Sequence, residues 1–85
     1  MRITLLLFAG LREALGVARE TCDLPPGVDT PAGVRAWLRE RGDAWATALA
    51  EGRNVRVAVN QTMTAADATI PDGAEVAFFP PVTGG

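Results

Sequence analysis

The 85-residue chain contains no lysine and no histidine, so all eight of its cationic side chains are arginine. The absence of histidine removes the commonest general base and zinc ligand of proteins. Without lysine, the chain has no side-chain amine that could become an isopeptide attachment site on itself. These absences argue against a catalytic centre built from the chain's own side chains.

Cysteine, surplus positive charge and long apolar segments are also scarce. The single cysteine, Cys22, cannot form an internal disulfide, which fits a cytoplasmic location, and we expect it to be a small packed hydrophobic residue without a catalytic role. The formal net charge of −2 leaves no basic surplus for binding nucleic acid. The apolar run at residues 3–11 is too short to cross a bilayer and is better explained as a buried strand. We therefore expect neither nucleic acid nor a membrane as a partner.

Local patterns predict an element order of β-β-α-(α)-β-(β)-β. Four strands are predicted at residues 2–9, 17–24, 55–60 and 74–80. A short edge strand is predicted at residues 61–64, and a helical turn at residues 11–15. Pro71-Asp72-Gly73 is a strong turn signal before the last strand. Helices confined to the middle of the chain imply a single sheet with one face covered. The sequence therefore predicts one α+β domain of two-layer type over residues 1–80, followed by a flexible tail at residues 81–85.

The helical region carries its own start and stop signals. A helix is expected to begin at Thr30, a good N-cap, because Pro31 then occupies the first helical position, where its missing N–H costs nothing. Gly42 suits the end of this helix, and Asp43 is expected to cap a second helical segment that closes at Gly52.

Polar residues at alternate strand positions mark the sheet face that the helices leave open. Arg2, Arg56 and Glu75 point to solvent, and alternate residues of a strand share a face. The side chains expected on the open face are therefore Leu6, Phe8, Ala58, Ala77 and Phe79. If the first and last strands are neighbours, these residues form one apolar patch, and such a patch usually marks a partner surface. The alternative is that loops or the tail fold over the patch.

The tail ends in Gly84-Gly85, which lack side chains and could lie extended in a channel too narrow for any Cβ. Pro80 and Pro81 hold the start of the tail extended, and six residues beyond Phe79 could reach roughly 20 Å. We expect the terminal carboxylate of Gly85 to be the reactive group. Gly, Pro and Thr are also ordinary in disordered chain ends, and a diglycine can be an expression scar.

Three stretches resemble the small subunits of molybdopterin synthase, the MoaD family of ubiquitin-like β-grasp proteins. They are residues 7–13 (LFAGLRE), 58–62 (AVNQT) and 72–85 (DGAEVAFFPPVTGG). The likeness spans nearly the whole chain and is most specific at the C-terminal stretch. It implies a β-grasp fold with a mixed sheet, helices on one face and an extended C-terminal tail.

The resemblance implies a sulfur carrier in molybdenum cofactor biosynthesis. A MoeB-type adenylyltransferase would use ATP and Mg²⁺ to adenylate Gly85, which then becomes a thiocarboxylate. The carrier would dock on a MoaE-type large subunit in a heterotetramer and donate sulfur to cyclic pyranopterin monophosphate. It would bind no cofactor itself and act as a non-catalytic subunit and co-substrate. Its predicted site comprises Gly84 and Gly85 for the chemistry, and for partner binding Leu6, Phe8, Ala77, Phe79, Pro80, Pro81, Val82 and Thr83.

Three other functions remain open. The chain could be a ubiquitin-like modifier joined through Gly85 to lysines of target proteins, or a thiamin-pathway sulfur carrier, which shares fold and diglycine. The helical segment at residues 43–51 and the stretch at residues 8–13 look less like the thiamin carriers, which are typically shorter. The last alternative is a plain interaction domain that uses the apolar patch.

Overall fold

A computed structural model describes residues 1–81 of the chain and confirms the predicted order of the strands and of the two middle helices. Between the first two strands, where only a helical turn at residues 11–15 was predicted, the chain forms a helix that begins at Ala9, so the first strand is shorter than predicted. The strands are β1 (Arg2–Leu7), β2 (Arg19–Asp23), β3 (Arg56–Val59), β4 (Thr62–Met63) and β5 (Glu75–Phe79). The helices are α1 (Ala9–Leu15), α2 (Pro31–Arg39) and α3 (Asp43–Ala48). The predicted tail residues Val82, Thr83, Gly84 and Gly85 lie outside the described residues.

The strands form one five-stranded mixed sheet in the order β2-β1-β5-β3-β4. The central pair, β1 and β5, is parallel, while every other neighbouring pair is antiparallel. A parallel pair needs a crossover connection, and the segment between β1 and β5 supplies one that includes the helices. The first and last strands are therefore neighbours, which was the condition for a continuous apolar patch.

The helices cover one face of the sheet, where the core lies. β1 and β5 bury alternate side chains there, and their most buried residues are joined in one cluster by residues from all three helices. This cluster includes Ile3, Leu5, Leu7, Leu11, Val34, Leu38, Ala48, Leu49, Val76 and Phe78. Burying one such large side chain contributes about 1.5–3 kcal/mol, so this face, and not the open one, carries most of the stability.

The predicted start of α2 is confirmed. The Thr30 side chain accepts a hydrogen bond from the Gly33 amide at 3.1 Å, and Pro31 occupies the first helical position. The predicted stop signals of the helical region were wrong. α2 ends before Gly42, which is instead the N-cap of α3, and Asp43 makes no side-chain capping bond. With φ 143° and ψ −178°, Gly42 holds a conformation that L side chains rarely adopt.

A side chain from α2 binds the segment that follows α3. The Arg35 guanidinium donates to the carbonyl oxygen of Leu49 at 2.8 Å, to that of Ala50, and to that of Arg53 at 2.9 Å. These carbonyls lie beyond the last residue of α3, so Arg35 holds the segment after the helix against α2. The helix itself ends at Ala48, before the predicted stop at Gly52.

A charged cluster ties the segment after α2 to the edge strand β2. The Arg41 guanidinium pairs with both carboxylate oxygens of Glu20 and lies 5.3 Å from the ring centroid of Trp37 and 4.7 Å from that of Trp45. Both tryptophans are half-buried and pack against the core. The hydrogen bonds from Arg41 lower the pKa of Glu20, so the carboxylate stays ionised to lower pH than usual.

Glu20→Gln is expected to lower the free energy of unfolding by about 0.5–1 kcal/mol at pH 7, because a partly exposed ion pair is screened by solvent. A carboxylate whose folded pKa is depressed adds stability above its unfolded pKa and loses it as the pH falls through the folded value. The difference between wild type and Glu20→Gln should therefore vanish in acid. Urea unfolding of both proteins, at pH 7 and in acid, measures this difference in the free energy of unfolding.

Glu40→Gln is the matched control, because Glu40 is exposed and makes no ion pair within residues 1–81. It should change stability little at either pH. A Glu20→Gln deficit that persisted in acid would contradict the electrostatic explanation and indicate lost packing.

Candidate interaction surface

The open face of the sheet carries the predicted apolar patch. Leu6 is directly opposite Ala77, and Ala77 is opposite Ala58, so their side chains form one row across three central strands. Ala77 is only 7% exposed and Ala58 only 9%, yet neither belongs to the core cluster beneath the helices. The two small residues are therefore shielded from solvent on the face that the helices leave open.

Two phenylalanines lie beside this row at the end of β5. Phe79 is half-buried and lies opposite Arg56. The amide of Phe8 donates to the carbonyl oxygen of Phe78 at 3.3 Å, which keeps Phe8 beside the end of β5. The Phe8 side chain is 44% exposed, which is unusual for a large hydrophobic residue in so small a domain. The structure thus brings Leu6, Phe8, Ala77 and Phe79 together on one face, while their role in binding a partner stays a prediction.

Met63 extends this surface and was missed by the sequence analysis. It lies opposite Ala58 and is 52% exposed. Its register is set by the two-residue turn at Asn60 and Gln61, whose φ angles of 50° and 68° are those of a tight hairpin. The sequence did contain a signal for the turn, because Asn favours this conformation. The strand that follows has only two residues, which are too few to show the alternation of buried and exposed side chains. We define the docking face as Leu6, Phe8, Ala58, Met63, Ala77 and Phe79.

Arginines flank the docking face on two sides. Arg19 lies opposite Leu6 on the edge strand β2, and Arg56 lies opposite Phe79 on β3. Neither arginine makes an ion pair within residues 1–81. At the other end, Glu75 lies on the same face, and its backbone amide is held by the side chain of Asn60 at 3.0 Å. The border near Phe79 is therefore cationic.

The chain leaves the sheet next to the docking face. β5 ends at Phe79, and the half-buried Pro80 and Pro81 follow. Pro80 lines a groove of about 370 Å³ whose other walls include Leu11, Ala14 and Arg53. β5 therefore ends at the edge of the docking face where Phe8 and Phe79 lie.

The described residues offer little other chemistry. Cys22 is 2% exposed, and burial, followed by its contact with Glu20, raises the pKa of its thiol to about 11. The thiol is therefore neutral at physiological pH, which makes it a poor nucleophile. No group of His, Cys, Asp or Glu side chains that could hold a metal ion occurs within residues 1–81. Over the same range, no helix is both long and apolar enough to cross a membrane.

The strand order and the helix-covered face define the class of protein. A mixed sheet with parallel first and last strands at its centre, and helices on one face, is the ubiquitin-like β-grasp fold. The docking face, with the exposed side chains of Phe8 and Met63, lies beside the point where the chain leaves the sheet.

Comparisons with known proteins place the chain within this class. The model of the ThiS family matches residues 5–85. The molybdopterin synthase sulfur carrier subunit of Haemophilus influenzae is 42% identical over 83 residues, which cover 98% of this chain and 99% of that relative. The chain therefore belongs to the ThiS family, and the resemblance to the molybdopterin synthase small subunits is confirmed.

Solved structures agree on the fold. SAMP1 from Haloferax volcanii superposes with a TM-score of 0.79 at 27% identity, with both chains covered in full. A chain from the complex of subunits 1 and 2 of molybdopterin-converting factor from Helicobacter pylori gives a TM-score of 0.67 at 19% identity, again over both full chains. At that identity, the second likeness shows the fold alone.

Proposed function

We propose that this protein is the sulfur carrier subunit of a molybdopterin synthase. The observation that carries the proposal is the 42% identity, over nearly the full length, to a relative that bears this name. The exposed docking face that adjoins the start of the tail supports it, because a carrier must bind a partner and deliver its end in one event.

The working group in this proposal is the carboxylate of Gly85. A carboxylate is a poor electrophile, so a MoeB-type enzyme first joins it to AMP, using ATP and Mg²⁺ and releasing pyrophosphate. A sulfur donor then displaces AMP and leaves a thiocarboxylate. That sulfur attacks cyclic pyranopterin monophosphate, and water restores the carboxylate when the acyl–sulfur bond is cleaved.

Gly84 and Gly85 allow the tail to reach a confined active site. Four residues beyond Pro81 can extend about 13 Å. Val82 and Thr83 would occupy the wider entrance of the partner's channel, and the two glycines would occupy its narrow end, where a Cβ would not fit. The base and the donors that stabilise the reacting oxygen come from partner enzymes. The carrier is then a co-substrate and a non-catalytic subunit, and we place it in the cytoplasm.

The docking face would bind the large synthase subunit. The Helicobacter pylori structure with the same fold is a complex of subunits 1 and 2 of molybdopterin-converting factor, which supports a large-subunit partner here. Since Arg19 and Arg56 flank the apolar residues, the complementary surface should have an apolar centre and carboxylates at its rim. Two carriers and two large subunits would form the heterotetramer.

A second candidate function is protein modification. SAMP1, whose name denotes a small archaeal modifier protein, matches this chain over its full length. In that case Gly85 would form an isopeptide bond with a lysine of a target protein. The thiamin-pathway carrier remains the third candidate, because the matching family model is that of the ThiS family.

Deletion of the gene in its native host separates these functions. We expect molybdoenzyme activity to be lost, to return when molybdopterin is supplied, and to stay absent when thiazole is supplied. Growth rescued by thiazole with molybdoenzymes still active would overturn the proposal in favour of the thiamin pathway. Intact molybdoenzyme activity together with the loss of diglycine-modified lysines would identify a modifier instead.

A further inference from the structure

The outer edge of β2 presents backbone groups that have no partner within residues 1–81. β2 pairs with β1 on one side only, because it is the first strand of the sheet. The bonds from Leu7 to Ala18 and from Leu24 to Met1 show that even-numbered residues of this segment face β1. By the alternation of an antiparallel pair, Arg19, Thr21 and Asp23 direct their amides and carbonyls outward.

The exposed side chains of this edge are self-complementary. Arg19, Thr21 and Asp23 are all exposed, and they lie on the open side of the sheet. Asp23 also accepts a hydrogen bond from the side chain of Arg2 in its own chain at 2.8 Å, and this exposed pair leaves its second carboxylate oxygen for Arg19 of another copy. If a second copy of β2 pairs antiparallel about Thr21, each Arg19 lies directly opposite the Asp23 of the other copy, and the two Thr21 residues lie opposite each other. Opposite charges and Thr–Thr pairs in these positions stabilise antiparallel strands.

The outward backbone groups fit the same register. In this register, residues 19, 21 and 23 of one copy face residues 23, 21 and 19 of the other. All of these residues point their amides and carbonyls outward, so each facing pair can form backbone hydrogen bonds. On the helix side, Glu20 is already bound by Arg41, and it faces the buried Cys22 of the other copy, so no like charges meet directly there. We propose that β2 is a homodimerisation edge that joins two copies of this chain into one continuous ten-stranded sheet.

Other registers are disfavoured, which makes the pairing specific. A shift by two residues in either direction places Arg19 or Asp23 opposite Thr21 and forfeits the charge pairs. A shift by four residues brings two Arg19 or two Asp23 side chains opposite each other. Parallel pairing in register brings the same like charges together. Charged residues usually protect an edge strand from association, but here they select one arrangement.

The interface is small and should be weak. Three residue pairs bury less surface than the roughly 1,200 Å² of a standard stable complex. Phe79 on β5 is separated from this edge by β1, so pairing leaves the centre of the docking face open. The inference does not depend on the proposed function, since neither the tail nor a partner enzyme takes part.

Sedimentation equilibrium of the purified protein tests the proposal. We expect the average mass to rise from the monomer value of 8.9 kDa toward twice that as the concentration approaches about 1 mM. Arg19→Asp and Asp23→Arg should each remain monomeric, because each places like charges opposite each other. An equimolar mixture of the two variants should associate again, since every facing pair is then of opposite sign.

A backbone test uses Thr21→Pro and its control Thr21→Val. Proline removes the outward amide at the centre of the interface, whereas valine keeps it. Thr21→Pro should be monomeric with its far-ultraviolet circular dichroism unchanged, and Thr21→Val should still associate. Wild-type protein that stays monomeric at every concentration would overturn the proposal. So would a dimer that survives Arg19→Asp, or a mixture of the two charge variants that stays monomeric.

Discussion

Phe79→Asp is expected to weaken binding of the large synthase subunit at least about 30-fold, the loss typical of an aromatic residue that an interface buries. Phe79 lies on the docking face beside Phe8, and a carboxylate there would be desolvated inside an apolar interface. The domain itself should remain folded, because the Phe79 side chain does not belong to the core beneath the helices. Isothermal titration calorimetry measures the affinity, and thermal unfolding measures the stability.

The adjacent residue provides the matched control. Phe78 is 2% exposed and packs in the core on the opposite face of the same strand. Phe78→Ala should therefore cost about 3–5 kcal/mol of stability, a large share of the 5–15 kcal/mol that holds a typical domain folded. If Phe79→Ala lowered the melting temperature as much as Phe78→Ala, the assignment of the docking face would be wrong.

Adding one alanine after Gly85 is expected to abolish sulfur loading and synthase activity, the largest effect on function that we predict. The added residue moves the carboxylate by about 3.3 Å and places a Cβ where two glycines leave space. Even a misplacement of about 1 Å can cost a factor of 100 in rate. Alanine added before Met1 is the control and should load normally. Both variants should unfold at the wild-type temperature.

The sheet could be predicted from the sequence because its strands carry clear polar markers. Arg2 and Glu75 fixed which side chains of β1 and β5 face the core, and the structure buries Leu5 and Val76 accordingly. The start of α2 was equally clear, since Thr30 is a local capping residue. Signals of this kind act within a few residues, so a pattern in the sequence is enough to reveal them.

Features that depend on contacts between distant residues could not be predicted. The segment after α3 is held by Arg35, which lies 14 residues before the Leu49 carbonyl that it binds. The pairing of Arg41 with Glu20 joins residues 21 apart. Met63 was missed for a related reason, because its place on the docking face depends on pairing with β3. Spacing in the sequence predicts none of these contacts.

The mass of the C-terminal peptide of protein purified from its native host tests the central claim most directly. The account predicts a fraction of peptide in which one oxygen of the Gly85 carboxylate is replaced by sulfur, and no such fraction in protein extended by alanine. Peptide that carries only the carboxylate, in cells that are actively making molybdopterin, would contradict the claim. So would an extended variant that still supports molybdoenzyme activity.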